Sequence, residues 1–325
     1  MTSDPLMPRA DQLRLMTKVA KLYHELGMKQ VDVASTVRIS QTRVSRLLRR
    51  AEELGLVRTV VTAPPGVNTD VESELERRFG LYEAIVVDDP ASGELLAPAL
   101  GAATATFLQE ALGPSDSLGF SSWSATLLAS VEALNPGGGQ RAKEVVQLVG
   151  GRGVTSTQER ANRLLGRLAM MTGATPYYLT APGLLDTPAA VSSLLSDGSL
   201  RPVVQAWEHL TIALVGIGGL EPSPFFRASG NAISKADEAE LRRKAVVGDI
   251  LLRYLDVHGE VVDSPLNRRV VGIPLEQFMQ IPRRVAVAGG PRKAPAIVGA
   301  LRGQWINYLV TDFSTAETVL KLTAK

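Results

Sequence analysis

The chain has 325 residues, 45% of them apolar and 21% charged, with 35 Lys+Arg against 33 Asp+Glu, enough for a sizeable core and two domains. It has no cysteine, which excludes disulfides, thiolate metal sites and cysteine nucleophiles, and its three histidines (His24, His209, His258) match no zinc spacing. No apolar run approaches the ~20 residues of a membrane span, and the first twenty residues carry charge, so a soluble cytoplasmic protein without membrane contact is expected.

The near-neutral total conceals a division. Residues 1–63 carry eleven basic and six acidic side chains, a net of +5, and the remaining 262 residues carry 24 and 27, a net of −3. A basic head on a mildly acidic body is the asymmetry expected when one end meets a polyanion. In the head, "DQLRLMTKVAKLYHEL" puts Leu15, Val19, Leu22 and Leu26 on one helical face, and Gly27 ends the helix. "QVDVASTV" predicts a short second helix. "ISQTRVSRLLRRAEELG" predicts a third, with Ser40 as N-cap and Gly55 as its stop.

Counting from Gln30, Ala34 is the small residue, and Ile39, Val44 and Leu47 are the aliphatics, that a helix-turn-helix crossing requires. Arg38 occupies the turn position where glycine is usual, because the backbone there favours positive φ. "LGLVRTVV" reads as a β-wing whose Arg58 reaches a phosphate. With the aliphatics turned inward, the exposed start of the third helix carries Gln41, Thr42, Arg43, Ser45 and Arg46. Arginine suits guanine, glutamine suits adenine, and hydroxyls suit the backbone or either base. Together with Gln30, Ser40 and Arg58 these are the candidate contacts to double-stranded DNA.

The prolines of "VTAPPGVNTD" (61–70) interrupt the chain. Next, "TDVESELERRFGL" predicts an amphipathic helix with Thr69 or Asp70 as N-cap and Val71, Leu75 and Phe79 on one face, docking on the body. The expected organisation is a winged helix-turn-helix over 1–63, a linker and connecting helix over 64–82, and a second domain over 83–325.

In the body, strand candidates "EAIVVDD", "SLGFSS", "VVQLVGG", "PYYLT", "LTIALVGIG", "VVGDILLRYLD", "RRVAVAGG" and "INYLVTDF" alternate with helices such as "LLAPALGAATATFLQEAL" and "KAPAIVGALRG". Near-continuous apolar strands between amphipathic helices predict an α/β domain with a doubly wound sheet. Several strands end in glycine: Gly150, Gly151 and Gly153; Gly216, Gly218 and Gly219; Gly289 and Gly290. "LGFSSWSAT" leaves its strand through a Ser-rich turn, offering Ser121, Ser122, Ser124 and Thr126 as hydroxyl donors. Backbone N–H groups at such turns, with Lys293 as counter-charge, suit a phosphorylated small ligand. No P-loop and no full G-x-G-x-x-G is present, which disfavours a nucleotide.

"LYHELGMKQVDVASTVRISQTRVSRLLRRAEELGLV", continued by "LGFSSWSATL", "VVQLVGG", "ALVGIG", "VVGDILLRYLDVHG" and "VAVAGGPRKAPAIVGALRG", resembles SorC-type (deoxyribonucleoside-regulator, sugar-binding-domain) transcriptional regulators over nearly the whole chain. The resemblance implies an effector domain of Rossmann-like, sugar-phosphate isomerase and deaminase type. It also implies homotetramers or homodimers whose operator affinity responds to a sugar or sugar phosphate. Carried over, it places Gly119 to Thr126, Gly150 and Gly151, Gly216 to Gly218, Asp249, and Gly289, Gly290 and Lys293 around the ligand. Two departures stand out: Ser124 replaces the glycine of the family's "SWG-x-T" turn, and Gln41 opens a base-reading helix that commonly begins "IS-R".

The rival reading is a sugar-phosphate isomerase or aminosugar deaminase carrying a DNA-binding head. Such chemistry needs a placed acid or base, for which Asp249, backed by Asp312, is the available carboxylate. A sugar-hydroxyl hydrogen bond is the simpler role for Asp249, and the histidines read as structural or surface residues. A DNA-organising protein with no effector would leave the glycine-turned α/β body unexplained. The expectation is therefore a regulator with no catalytic residues, no metal and no cofactor.

Overall fold

The computed structural model describes residues 10–57, 64, 66–135, 141–151, 155–220 and 233–324, with the backbone alone over 155–161. Two compact units emerge, Met1–Ala63 and Pro64–Lys325.

The first unit holds α1 (Ala10–Ala20), α2 (Gln30–Val37) and α3 (Gln41–Glu53). A π-helical turn, Lys21–Glu25, continues α1. A π turn takes an extra residue and rotates the residues after it out of phase with the preceding face. Leu26, expected on the buried face, is consequently 67% exposed, while Met16, Val19 and Ala20 are buried. Val33, Ala34, Val44, Leu48 and Ala51 complete this small core, with Ile39 and Leu47 half-buried against it. Leu54–Val57 forms a turn and bend. The rest of the expected wing, including Arg58, lies outside the described residues.

The second unit contains α4 (Thr69–Phe79), β1 (Glu83–Val87), α5 (Leu96–Ala111), β2 (Ser117–Phe120), α6 (Ala125–Ala133), β3 (Glu144–Gln147), α7 (Thr155–Thr172), β4 (Thr175–Tyr177), α8 (Pro188–Leu195) and α9 (Arg201–Trp207). It continues with β5 (Ile212–Gly216), β6 (Gly218–Gly219), α10 (Lys235–Arg243), β7 (Gly248–Ile250), β8 (Arg253–Leu255), α11 (Leu275–Gln280), β9 (Arg283–Val287), α12 (Ala294–Arg302), β10 (Tyr308–Asp312) and α13 (Phe313–Leu322). Seven strands form one parallel sheet in the order β1-β10-β9-β5-β2-β3-β4.

Alternate residues of the central strands feed two cores. Ile212, Leu214, Val285 and Val287 face α5, α6 and α7, whose Leu108, Leu127 and Leu165 are fully buried. Ala213, Val215 and Ala286 face the other layer with Trp207, Ile297 and Val319. Covering both faces is what a parallel sheet requires, and it explains the unbroken apolar runs.

β1 is an edge strand, and α4 closes that edge. The outward N–H groups of Ala84 and Val86 donate to Glu76 Oε1 at 2.9 Å and Glu72 Oε1 at 2.8 Å. Leu75 is fully buried between helix and sheet, with Val71 and Phe79 half-buried beside it. Arg78 donates to Leu320 O at 2.8 Å at the end of α13. The N-cap is Asn68, not Thr69 or Asp70. Its side chain makes no cap bond and instead donates to Val86 O and Asp88 Oδ1, at 2.9 and 3.0 Å.

Segment 246–256, expected as one strand, is a hairpin. β7 and β8 pair antiparallel with each other, and β7 pairs with β6, apart from the large sheet.

Candidate functional site

The chain order of the sheet reverses between β2 and β5. From β2 it proceeds outward through β3 and β4, and from β5 the other way through β9 and β10. Ligands of open parallel sheets bind beyond the carboxyl ends of strands at such a switch point. A cavity of about 150 Å³ lies there, lined by Ser121 and Trp123 to Thr126 after β2, by Gly216 to Leu220 after β5, and by the β7–β8 hairpin and Lys293. Volumes of this size accept a six-membered ring.

Of the residues expected around a ligand, the structure brings Ser121, Ser124, Thr126, Gly216, Gly218, Asp249 and Lys293 to this cavity. The others lie elsewhere. Gly119 is inside β2, where a Cβ would sit 2.6 Å from Leu148 Cδ2. Ser122 is buried off the cavity, with its hydroxyl unpartnered among the described residues. Gly150 and Gly151 make room for Ala181 O and the Trp123 ring, from which a Cβ would be 2.5 and 1.8 Å. Gly289 packs on Asp312, and the N–H of Gly290 is already given to Asp312 Oδ1 at 2.8 Å. The Gly290 N–H is thus engaged, and the turn continues into Lys293, whose own N–H donates to Gly290 O at 2.8 Å. Gly153 lies outside the described residues.

Asp312 is the N-cap of α13, accepting from Thr315 N and Thr315 Oγ1 at 3.1 and 2.8 Å. It is buried and does not line the cavity. His24, His209 and His258 are all exposed, and none lines the cavity.

Among the described residues, two charges face the cavity. Burial pushes the Asp249 carboxyl up to about 6, against the opposing pull of the Leu252 N–H and the Lys293 charge. Burial likewise lowers the Lys293 ammonium, against the attraction of Asp249. Lys293 spends one donor on Ile217 O at 2.9 Å, leaving two for a ligand. Also on the cavity wall, Ser124 caps α6 by position only, since its Oγ is hydrogen-bonded to Thr126 Oγ1 at 2.7 Å. The first N–H groups of α6 thus have no side-chain cap, as suits an acceptor from a ligand.

Trp123 and Ile217, inside the ranges the resemblance implied, also line the cavity, as do Leu220, Tyr254, Leu251 and Leu252, which no sequence signal marked. Leu251 and Leu252 are the two central residues of the β7–β8 turn, with φ of 51° and 63°. A two-residue hairpin with both φ positive has type I′ geometry, normally the province of Asn-Gly. Each leucine in the left-handed region costs ~1–2 kcal/mol. The Leu252 N–H donates to Asp249 Oδ2 at 3.1 Å, a charge-assisted bond returning about 1.5–3 kcal/mol.

In the first unit, Arg38 C-caps α2 with φ 56° and ψ 47°, the left-handed conformation its position in the motif requires. Ser40 Oγ accepts from Arg43 N at 3.3 Å and starts α3. Ser40, Gln41, Thr42, Arg43, Ser45 and Arg46 are exposed, and Gln30 is half-buried. Arg49 and Arg50 are paired with Glu53 at 3.5 and 2.8 Å. Arg43 and Arg46 have no side-chain ion pair among the described residues.

Residues 64–321 match the sugar-binding-domain family. Over 320 residues the chain is 32% identical to the sorbitol operon regulator of Klebsiella pneumoniae, covering 97% of this chain and 100% of that one. The chain belongs to the SorC-type sugar-binding-domain family of transcriptional regulators. The deoxyribonucleoside regulator of Bacillus subtilis is 29% identical to it, over 95% of this chain and 98% of that one. The crystal structure of full-length sorbitol operon regulator SorC from K. pneumoniae superposes with a TM-score of 0.73 at 31% identity, over 96% of this chain and 100% of that chain. This SorC-type regulator thus joins an N-terminal DNA-binding unit to a sugar-binding domain. In it, Ser124 stands over Gly216, where a Cβ would come within 3.0 Å of the serine side chain. No helix among the described residues is long and apolar enough to cross a membrane.

Proposed function

We propose that the cavity at the ends of β2 and β5 binds a sugar or sugar phosphate, and that its occupancy alters the affinity of the head for a DNA operator. The observation carrying this reading is the meeting, at the switch point, of one cation, one under-satisfied carboxylate and an uncapped helix start. Lys293 and the first turn of α6, with Ser121, Ser124 and Thr126, suit the anionic end of the ligand. Asp249 suits its hydroxyls, and the Trp123 and leucine surfaces suit a ring face.

On the DNA side, α3 enters the major groove with Gln41, Thr42, Arg43, Ser45 and Arg46 toward base edges and phosphates. Ser40, Gln30 and Arg58 act on the backbone. The body forms a homodimer or homotetramer, placing two heads on an imperfect palindrome, and the regulator works in the cytoplasm. The effector shifts the population of two subunit arrangements by its differential affinity for them.

On this reading the body senses its ligand without converting it, in keeping with relatives that are named as regulators.

A thermal-shift screen of pentose and hexose phosphates and their free sugars tests the reading, since binding stabilises the native state by mass action. A hit that also changes operator affinity is expected. No shift with any compound at millimolar concentration would overturn the effector assignment, and conversion of a compound followed by NMR would overturn the absence of turnover.

A further inference from the structure

Four of the five non-glycine residues with positive φ among the described residues lie in the second unit, and two of these are neighbours, Leu251 and Leu252, both on the wall of the cavity. Nothing in leucine chemistry favours that conformation, so other contacts must impose it. The hairpin register closes the loop at Ile250 and Arg253 and allows only a two-residue turn. Arg253 anchors one side, donating from Nη1 to Leu251 O and from Nη2 to Ile273 O, both at 3.3 Å. Asp249 anchors the other side through the Leu252 N–H. Both leucines are buried, 8% and 2% exposed, so the turn is also clamped by packing.

Of these restraints, the Asp249 bond is the one a ligand can reach. The carboxylate lines the cavity with a single side-chain hydrogen bond among the described residues and a neighbouring cation, while its Oδ1 lies against Gly218, where a Cβ would be 2.0 Å away. A charged group so poorly provided with donors attracts hydroxyls.

We propose that the β7–β8 turn is a sprung wall of the cavity, held in its observed form by the Asp249 carboxylate, so that a polyol hydroxyl taking over that carboxylate lets the wall move. The bond that restrains the turn and the strain it restrains are of similar size, the condition for two accessible positions. The functional part of this inference rests on the cavity being the effector site, but the mechanical part needs no ligand to test.

The test separates backbone strain from packing. The double variants L251A/L252A and L251G/L252G lose the same side chains to within a methyl group, but only the glycine pair relieves a left-handed backbone. At ordinary positions glycine is the less stabilising of the two, so a sprung turn predicts the reverse order: the glycine pair of the full-length protein melts higher. Hydrogen exchange at residues 250–253 then reads the latch. In the alanine background, Asp249→Ala accelerates exchange by about 10–100-fold, and in the glycine background far less. Should the double variants not fold, Leu252→Ala and Leu252→Gly carry the same comparison. An alanine form as stable as the glycine form, or exchange insensitive to Asp249→Ala, would overturn the sprung wall. Because no sugar is present, that failure leaves the effector assignment untouched, and a failed sugar screen leaves the latch untouched.

Discussion

Replacing Arg38 by glycine should stabilise the DNA-binding unit. Arg38 has φ 56° and ψ 47° and is exposed, so its side chain contributes little packing while its Cβ is strained. The left-handed conformation costs a non-glycine residue ~1–2 kcal/mol. Glycine returns part of this through the larger entropy of its unfolded chain, roughly 0.5–1 kcal/mol. The net gain is about 0.5–1 kcal/mol, which for a unit of this size raises the melting temperature by roughly 2–8 °C. Calorimetry of full-length protein, with hydrogen exchange of α2 and α3 to assign the transition, measures it. Arg38→Ala is the control, because alanine removes the charge and keeps the strain, and it should give no such gain. An Arg38→Gly protein whose α2 and α3 exchange as fast as wild type, or faster, would refute the strain argument.

Arg43→Ala and Arg46→Ala should each lower specific operator affinity by about 1–3 kcal/mol if they read bases, with the body unfolding as in wild type. A residue that contacts phosphate alone should instead reduce the salt slope of binding by about one. Lys293→Met keeps the aliphatic stem but removes the cation, so sugar-phosphate affinity should fall by about 10–100-fold with operator affinity unchanged in the absence of effector. Equal midpoints for wild type and variant in an effector titration would contradict that role. The pH dependence of stability reflects the Asp249 carboxyl, raised from 3.8 to about 6. Between those values the folded state holds this proton while the unfolded state has lost it, so the contribution favours folding below pH 4 and is lost as pH rises through 6. Asp249→Asn should therefore be the more stable protein at pH 8, by up to about 3 kcal/mol, and its advantage should vanish near pH 4 in denaturant titrations.

Much of the fold was legible because its signals are local. The crossing residues Ala34, Ile39, Val44 and Leu47 announce two packed helices, and the apolar runs through Val215 and Val287 announce strands buried on both faces. The site was only partly legible. Glycines at strand ends mark close approach without saying what approaches: for Gly218 it is the cavity carboxylate, for Gly151 a tryptophan ring, for Gly289 a capping aspartate. The Leu251–Leu252 turn was invisible, since two leucines between strand residues carry no turn chemistry. Leu26 misled for a related reason, the π turn being a change of phase that composition does not record.

The glutamates of α4 have a consequence for how this regulator can be divided. Glu72 and Glu76 occupy the outward N–H groups of β1 that another strand would otherwise seek. A fragment beginning at Tyr82 would bare both a row of unpaired donors and the apolar socket of Leu75, a combination that recruits strands from neighbouring molecules. Soluble fragments should therefore begin before Asn68, and insertions between head and body should be tolerated only ahead of it. The helix that leads out of the linker is the selvedge of the sheet, woven from the same chain that it keeps from fraying.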